Sequence, residues 1–269
     1  MKGKSFLGLG ATIALAVGIM SCGGGSQPAE TPAPAAGAPA AGAGKAVDAA
    51  TAGSVSGMVM FEGTAPRMRP INMAAEPSCA RVHTTAATTE DVVVGSGGAL
   101  KNVVVYLKGD FSAYSFPPAS APVVLDQKGC LYTPHVVAVQ VGAPLNVLNS
   151  DQTTHNIHPV PVNNREWNQS QPPGAAPLNE TFAREELAVP IKCNVHPWMK
   201  SYVAVVGNPY YQVTGADGMF SLKNVPPGAY TLTAWHESLG TMEQPVTIAA
   251  SEAKGDLHIA FKPKVGGAD

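Results

Sequence analysis

From residue 55 onward the chain breaks into short runs rich in β-branched and aromatic residues, separated by turn-forming residues. Residues 55–61 (Val-Ser-Gly-Met-Val-Met-Phe), 102–107, 136–141, 145–148, 201–206 and 230–235 each predict a strand. Phe220, Leu222, Tyr230 and Leu232 fall on alternate positions, which places them on one face of a half-buried sheet. Gly142-Ala143-Pro144, Asp217-Gly218 and Pro226-Pro227-Gly228 punctuate the runs as turns. No window of twelve or more residues beyond the N-terminal region carries a helical period. The pattern predicts an all-β chain of sandwiches or barrels.

The first 52 residues follow a different rule. Lys2 and Lys4 precede an apolar stretch over residues 6–20, too short for a confident membrane span. It ends in Ile19-Met20-Ser21-Cys22, which resembles a bacterial lipobox. That resemblance implies cleavage after residue 21, lipidation of Cys22 and an exported lipoprotein of the cell envelope, periplasmic or on the outer-membrane surface. Residues 22–52 are nearly all Gly, Ala, Pro, Ser and Thr and bury too little apolar surface to offset ordering, so they predict a flexible tether. The whole chain holds 17 basic and 19 acidic side chains. Without Lys2 and Lys4 the balance is 15 against 19, or −4, which leaves no basic footprint for nucleic acid.

The chemistry is concentrated in Cys193-Asn-Val-His196-Pro-Trp-Met199. Two imidazoles and a thiolate in a plane, with a weak axial thioether, make a blue-copper site. A tight loop between two strands can bring three such donors to one point, and the segment 149–158, with His155 and His158, offers the fourth. Zinc prefers four strong ligands, and a thioether is a poor one. The loop is similar to the ligand loop of amicyanin-type cupredoxins, and His155-Asn-Ile-His158 resembles their upstream histidine segment. The resemblance covers residues 119–207. It implies a cupredoxin-like Greek-key β-sandwich with one type 1 copper on His155, Cys193, His196 and Met199. It leaves His158 out and assigns Asn156 to a supporting bond between the ligand loops. It also implies that His196 reaches the surface in an apolar patch with Pro197 and Trp198, where redox proteins dock transiently.

Residues 214–235 resemble the carboxypeptidase regulatory-like (transthyretin-like) sandwich and the small β domain of rhamnogalacturonan lyases. Such domains begin with strands like those at 53–61 and 102–107. This β-sandwich is therefore expected to be discontinuous, 53–118 and 208–263, with the cupredoxin at 119–207 inserted; two sandwiches in series, or one enlarged cupredoxin, are the alternatives. His236 and Glu237 read as a polar strand end. Cys79 and Cys130 are expected to pair in an oxidising compartment; a Cys2His2 metal site with His83 and His135, or free thiols, stays open. The expected function is single-electron transfer without enzymatic turnover. The alternative is an envelope binding module, with Tyr210, Tyr211 and Trp235 as candidates for stacking on carbohydrate.

Overall fold

A computed structural model describes residues 44–263. The expected signal peptide, Cys22 and residues 22–43 of the expected tether lie outside the described residues. Among the described residues, sixteen strands, one short α-helix and one 3-10 turn (Ser96–Gly98) make up the regular structure. In chain order they are β1 (Gly53–Phe61), the helix α1 (Pro77–Ala80), β2 (Val104–Lys108), β3 (Val123–Gln127), β4 (Tyr132–Thr133), β5 (Val136–Gln140), β6 (Pro144–Asn149), β7 (His155–Pro159), β8 (Gln169–Gln171) and β9 (Leu178–Thr181). There follow β10 (Glu186–Lys192), β11 (Lys200–Val206), β12 (Tyr211–Val213), β13 (Met219–Val225), β14 (Gly228–His236), β15 (Gly240–Ile248) and β16 (Ala253–Phe261).

The strands form four sheets, ordered β13-β1-β16, β12-β2-β14-β15, β5-β11-β10-β7-β8 and β4-β3-β6-β9. The first two enclose one core, which includes Val55, Val59, Phe61, Leu107, Phe220, Leu232 and Ile259. The last two enclose another, which includes Leu125, Val139, Leu145, Val147, Ile157, Ile191 and Val203. A third cluster, Val104, Val136, Ala138, Ala204 and Trp235, joins the middle sheets back to back. β1 alternates strictly between buried and half-buried positions, as a sheet with one covered face requires. β5 is buried at every position, because Val137 and Val139 face one core while Val136 and Ala138 face the junction. An unbroken apolar run is the expected signature of a strand covered on both faces.

Two stretches depart from the sequence reading. Residues 44–52 were expected to belong to a tether, but Lys45 bridges Tyr114, and its N–H donates to the Ala113 carbonyl at 3.0 Å. Backbone hydrogen bonds hold this stretch, and composition does not reveal them. The segment around α1 was expected in the discontinuous sandwich of 53–118 and 208–263; instead Met73 and Cys79 pack into the same core as Leu125 and Ile191. It forms a cap on the sandwich that carries the donor loop.

Candidate metal centre

Cys193 ends the run out of β10, and Met199 leads into β11, its antiparallel partner. The loop between them is closed by its own backbone: the Met199 N–H donates to the His196 carbonyl at 2.9 Å, and the Cys193 N–H to the Met199 carbonyl at 3.2 Å. His155 opens β7, the neighbour of β10 on the other side. Asn149 shapes the turn before it, with Nδ2 donating to the Thr153 carbonyl and Oδ1 accepting from the Asp151 N–H. Sheet order thus brings the distant His155 beside the loop.

The Nδ1 atoms of His155 and His196 stand 3.0 Å apart, and Sγ of Cys193 is 3.8 Å from Nδ1 of His196. The donor atoms of these three residues all lie within 4.8 Å of one another. Metal–nitrogen bonds of about 2.0 Å and a metal–sulfur bond of about 2.3 Å in a trigonal plane need N···N near 3.5 Å and S···N near 3.8 Å. The trio is therefore spaced closely enough to hold one metal ion. His155 is 0 % exposed, Cys193 4 % and His196 1 %, so water does not compete freely for the donors. Met199 is also buried and packs in the surrounding core.

The surroundings favour a thiolate. Burial pushes the Cys193 thiol up, but hydrogen bonds from His155 and from the N–H groups of His196, Val195 and Asn156 outweigh it and hold it below its ordinary value. For His155, burial opposes the charged form, while Asp151 and Cys193 overcome it and raise the imidazole. His196 is lowered, first by burial and then by the neighbouring His155 charge. Asn156 accepts from the Asn194 N–H at 3.1 Å, tying β7 to the ligand loop. The Tyr132 hydroxyl donates to the carbonyls of Asn156 and Lys192 and so bridges the strands that carry His155 and Cys193. His158 stands apart from the trio, its ring bonded to Asn194 and Glu166.

The expected surface edge of His196 is absent. Its Nε2 lies 3.7 Å from Sγ of Cys79, under the cap. Pro197 is exposed, while Trp198 is half-buried, with its ring 5.1 Å from that of His196 and its indole N–H donating to the Cys130 carbonyl. Cys79 and Cys130 form a disulfide, so neither can serve as a thiolate in a Cys2His2 site. His83 bonds the Gly129 carbonyl, and His135 bonds Glu237.

Sequence reasoning passed over three further features. Asp151 accepts from His155, Gly129 and Cys130. Glu237, read as a polar strand end, is almost fully buried between His135 and Lys200. The cap itself carries no periodicity to announce it. Asp151 sits four residues before His155, and that spacing was the one available signal. Tyr210 and Trp235 are buried, and Tyr211 is half-buried.

A family model described as polysaccharide lyase family 4, domain II, matches residues 183–255. No curated protein matches. Among solved structures the chain is similar to a Cu-containing nitrite reductase (NirK) from Thermus scotoductus SA-01, at 19 % identity over 36 % of this chain and 24 % of that one, with a TM-score of 0.29. It is also similar to a purple cupredoxin from Nitrosopumilus maritimus, at 22 % identity over 32 % of this chain and 99 % of that one, with a TM-score of 0.27. A mutant amicyanin in its reduced Cu(I) form matches at 25 % identity over 32 % of this chain and 84 % of that one, with a TM-score of 0.28. The chain spans about a quarter of the length of the nitrite reductase it matches. The fold and site define an all-β protein with a buried His2Cys group at one end of a five-stranded sheet.

Proposed function

We propose that this protein is a cell-envelope electron carrier with one type 1 copper held by His155, Cys193 and His196, and by Met199 as the axial thioether. The observation that carries this reading is the buried group of two imidazole Nδ1 atoms and one thiol within 4.8 Å. Its donor set is the one that serves both copper oxidation states. Copper, when bound there, supplies a one-electron couple.

The chain's own part is to hold the donors still. Asn156 and Tyr132 fasten the two ligand strands together, and N–H groups aimed at Cys193 stabilise its thiolate. The exposed side of the loop, with Val195 and Pro197, is where a redox partner docks. Cys22 anchors the protein to a membrane through lipid.

The test is to add Cu(II) to the purified protein and record visible and EPR spectra beside a Cys193→Ser variant. An intense thiolate-to-copper band and a narrow hyperfine splitting, both lost in the variant, support the reading. A colourless protein, or a copper signal that survives the Cys193 change, refutes it.

A further inference from the structure

The outer nitrogens of both imidazoles lead to one place. Nε2 of His155 donates to Oδ2 of Asp151 at 2.8 Å. That carboxylate also accepts from the N–H groups of Gly129 and Cys130, both at 2.7 Å. Nε2 of His196 faces Sγ of Cys79 at 3.7 Å, and Cys79 is bonded to Cys130. Trp198 closes the ring of contacts, its ring tilted against that of His196 and its indole N–H bonded to the Cys130 carbonyl. The Cys130 loop therefore touches His155 through Asp151, and His196 through the disulfide and Trp198. The disulfide is buried, with Cys79 0 % and Cys130 1 % exposed, while Asp151 and Trp198 are half-buried.

We propose that Asp151 and the Cys79–Cys130 disulfide form a positioning clamp that grips both histidine ligands by their outer nitrogens and shuts the His196 edge to solvent and partners. The proposal rests on the copper reading above. The physical ground is that a ligating imidazole is oriented by the partner of its other nitrogen. Asp151 fixes the His155 tautomer with the proton on Nε2, which leaves Nδ1 free to bind a metal. The disulfide offers His196 a soft, weakly polar neighbour in place of water, so that imidazole is held by packing. An electron entering from outside then crosses the cap or the loop tip, rather than a bare imidazole edge.

Two variants test the clamp separately. Asp151→Asn keeps the shape and removes the charge, and Asp151→Glu is its conservative control. The paired change Cys79→Ala with Cys130→Ala removes the cover. Copper loss to a competing chelator is expected to quicken by roughly 10–100-fold in both Asp151→Asn and the paired variant, with partial recovery in Asp151→Glu. The reduction potential is expected to rise in Asp151→Asn, because the lost negative charge favoured the oxidised ion. Reduction by a small inorganic complex is expected to be faster in the paired variant. A lower unfolding midpoint with unchanged copper retention, potential and reduction rate would overturn the clamp.

If the unaltered protein gives no thiolate-to-copper band, the copper reading fails by itself. The clamp is then read on the metal-free chain by imidazole nitrogen NMR. A His155 ring protonated on Nε2, with that signal moved by Asp151→Ala, supports it; a ring indifferent to Asp151 overturns it.

Discussion

The Glu237 carboxylate lies 3.2 Å from Nζ of Lys200, and the two residues belong to different sandwiches. Lys200 directly follows Met199, and Glu237 directly follows the last residue of β14. The same carboxylate pairs with His135, and Asp91 holds Lys200 from the other side. The donor loop of one sandwich is thus fastened at its downstream end by a carboxylate of the other.

This pair carries a pH signature. Burial pushes Glu237 up, but the bond with His135 and the charges of His135 and Lys200 outweigh it and hold the carboxyl below its ordinary value. A depressed folded value means the stabilisation is fully present above the unfolded value and is lost as pH falls through the folded one. Glu237→Gln is expected to cost about 1–3 kcal/mol at neutral pH and much less in acid. Urea unfolding of both proteins at neutral pH and well below the ordinary carboxylate range measures it. An equal loss at both would reject the ionic contribution.

Tyr132→Phe removes the hydroxyl that serves two carbonyls, the buried one of Asn156 and the half-buried one of Lys192. Leaving such acceptors unpaired costs about 1–3 kcal/mol. Those carbonyls belong to the residue after His155 and the residue before Cys193. Thermal unfolding of the metal-free protein should fall, and copper should dissociate faster than from the unaltered chain. Unchanged values would show that Tyr132 does not couple the strands.

Reducing the Cys79–Cys130 disulfide opens a loop with a sequence separation of 51. The chain-entropy relation gives a loss of about 4 kcal/mol for that length. The urea midpoint of the metal-free protein, with and without a dithiol, reads this directly. A midpoint that does not move would mean that the cap adds nothing to global stability.

Trp235 is 9 % exposed and fills the junction between the middle sheets, with Tyr202 at 5.6 Å. Trp235→Ala is expected to destabilise by about 3–5 kcal/mol. It belongs to the junction cluster and not to the core that holds Cys193 and Met199, so the visible spectrum of the copper-loaded protein should stay the same. A changed spectrum would show that the junction transmits strain to the site.

Much of the fold was legible because strand chemistry is local. Residues 55–61, 145–148 and 230–235 lie inside β1, β6 and β14, since β-branched runs bounded by turn residues advertise themselves. β15 and β16 were not read: Gly240-Thr-Met-Glu-Gln and Ala253-Lys-Gly-Asp are polar on their exposed sides, and pairing with β14 and β1 makes them strands. The trio His155, Cys193 and His196 was visible because two donors share a short loop and the third follows a strand. Asp151, Glu237 and the cap were not, because each acquires its role from a neighbour distant in the fold. His196 lost its expected surface position for the same reason: the residue that covers it, Cys79, lies 117 positions away in sequence.

β2 and β12, which flank the segment carrying the metal-site residues, are antiparallel partners, with Tyr211 opposite Tyr106 and Val213 opposite Val104. The segment that carries His155, Cys193 and His196 therefore connects two neighbouring strands of one sheet, in the position a β-hairpin loop would take.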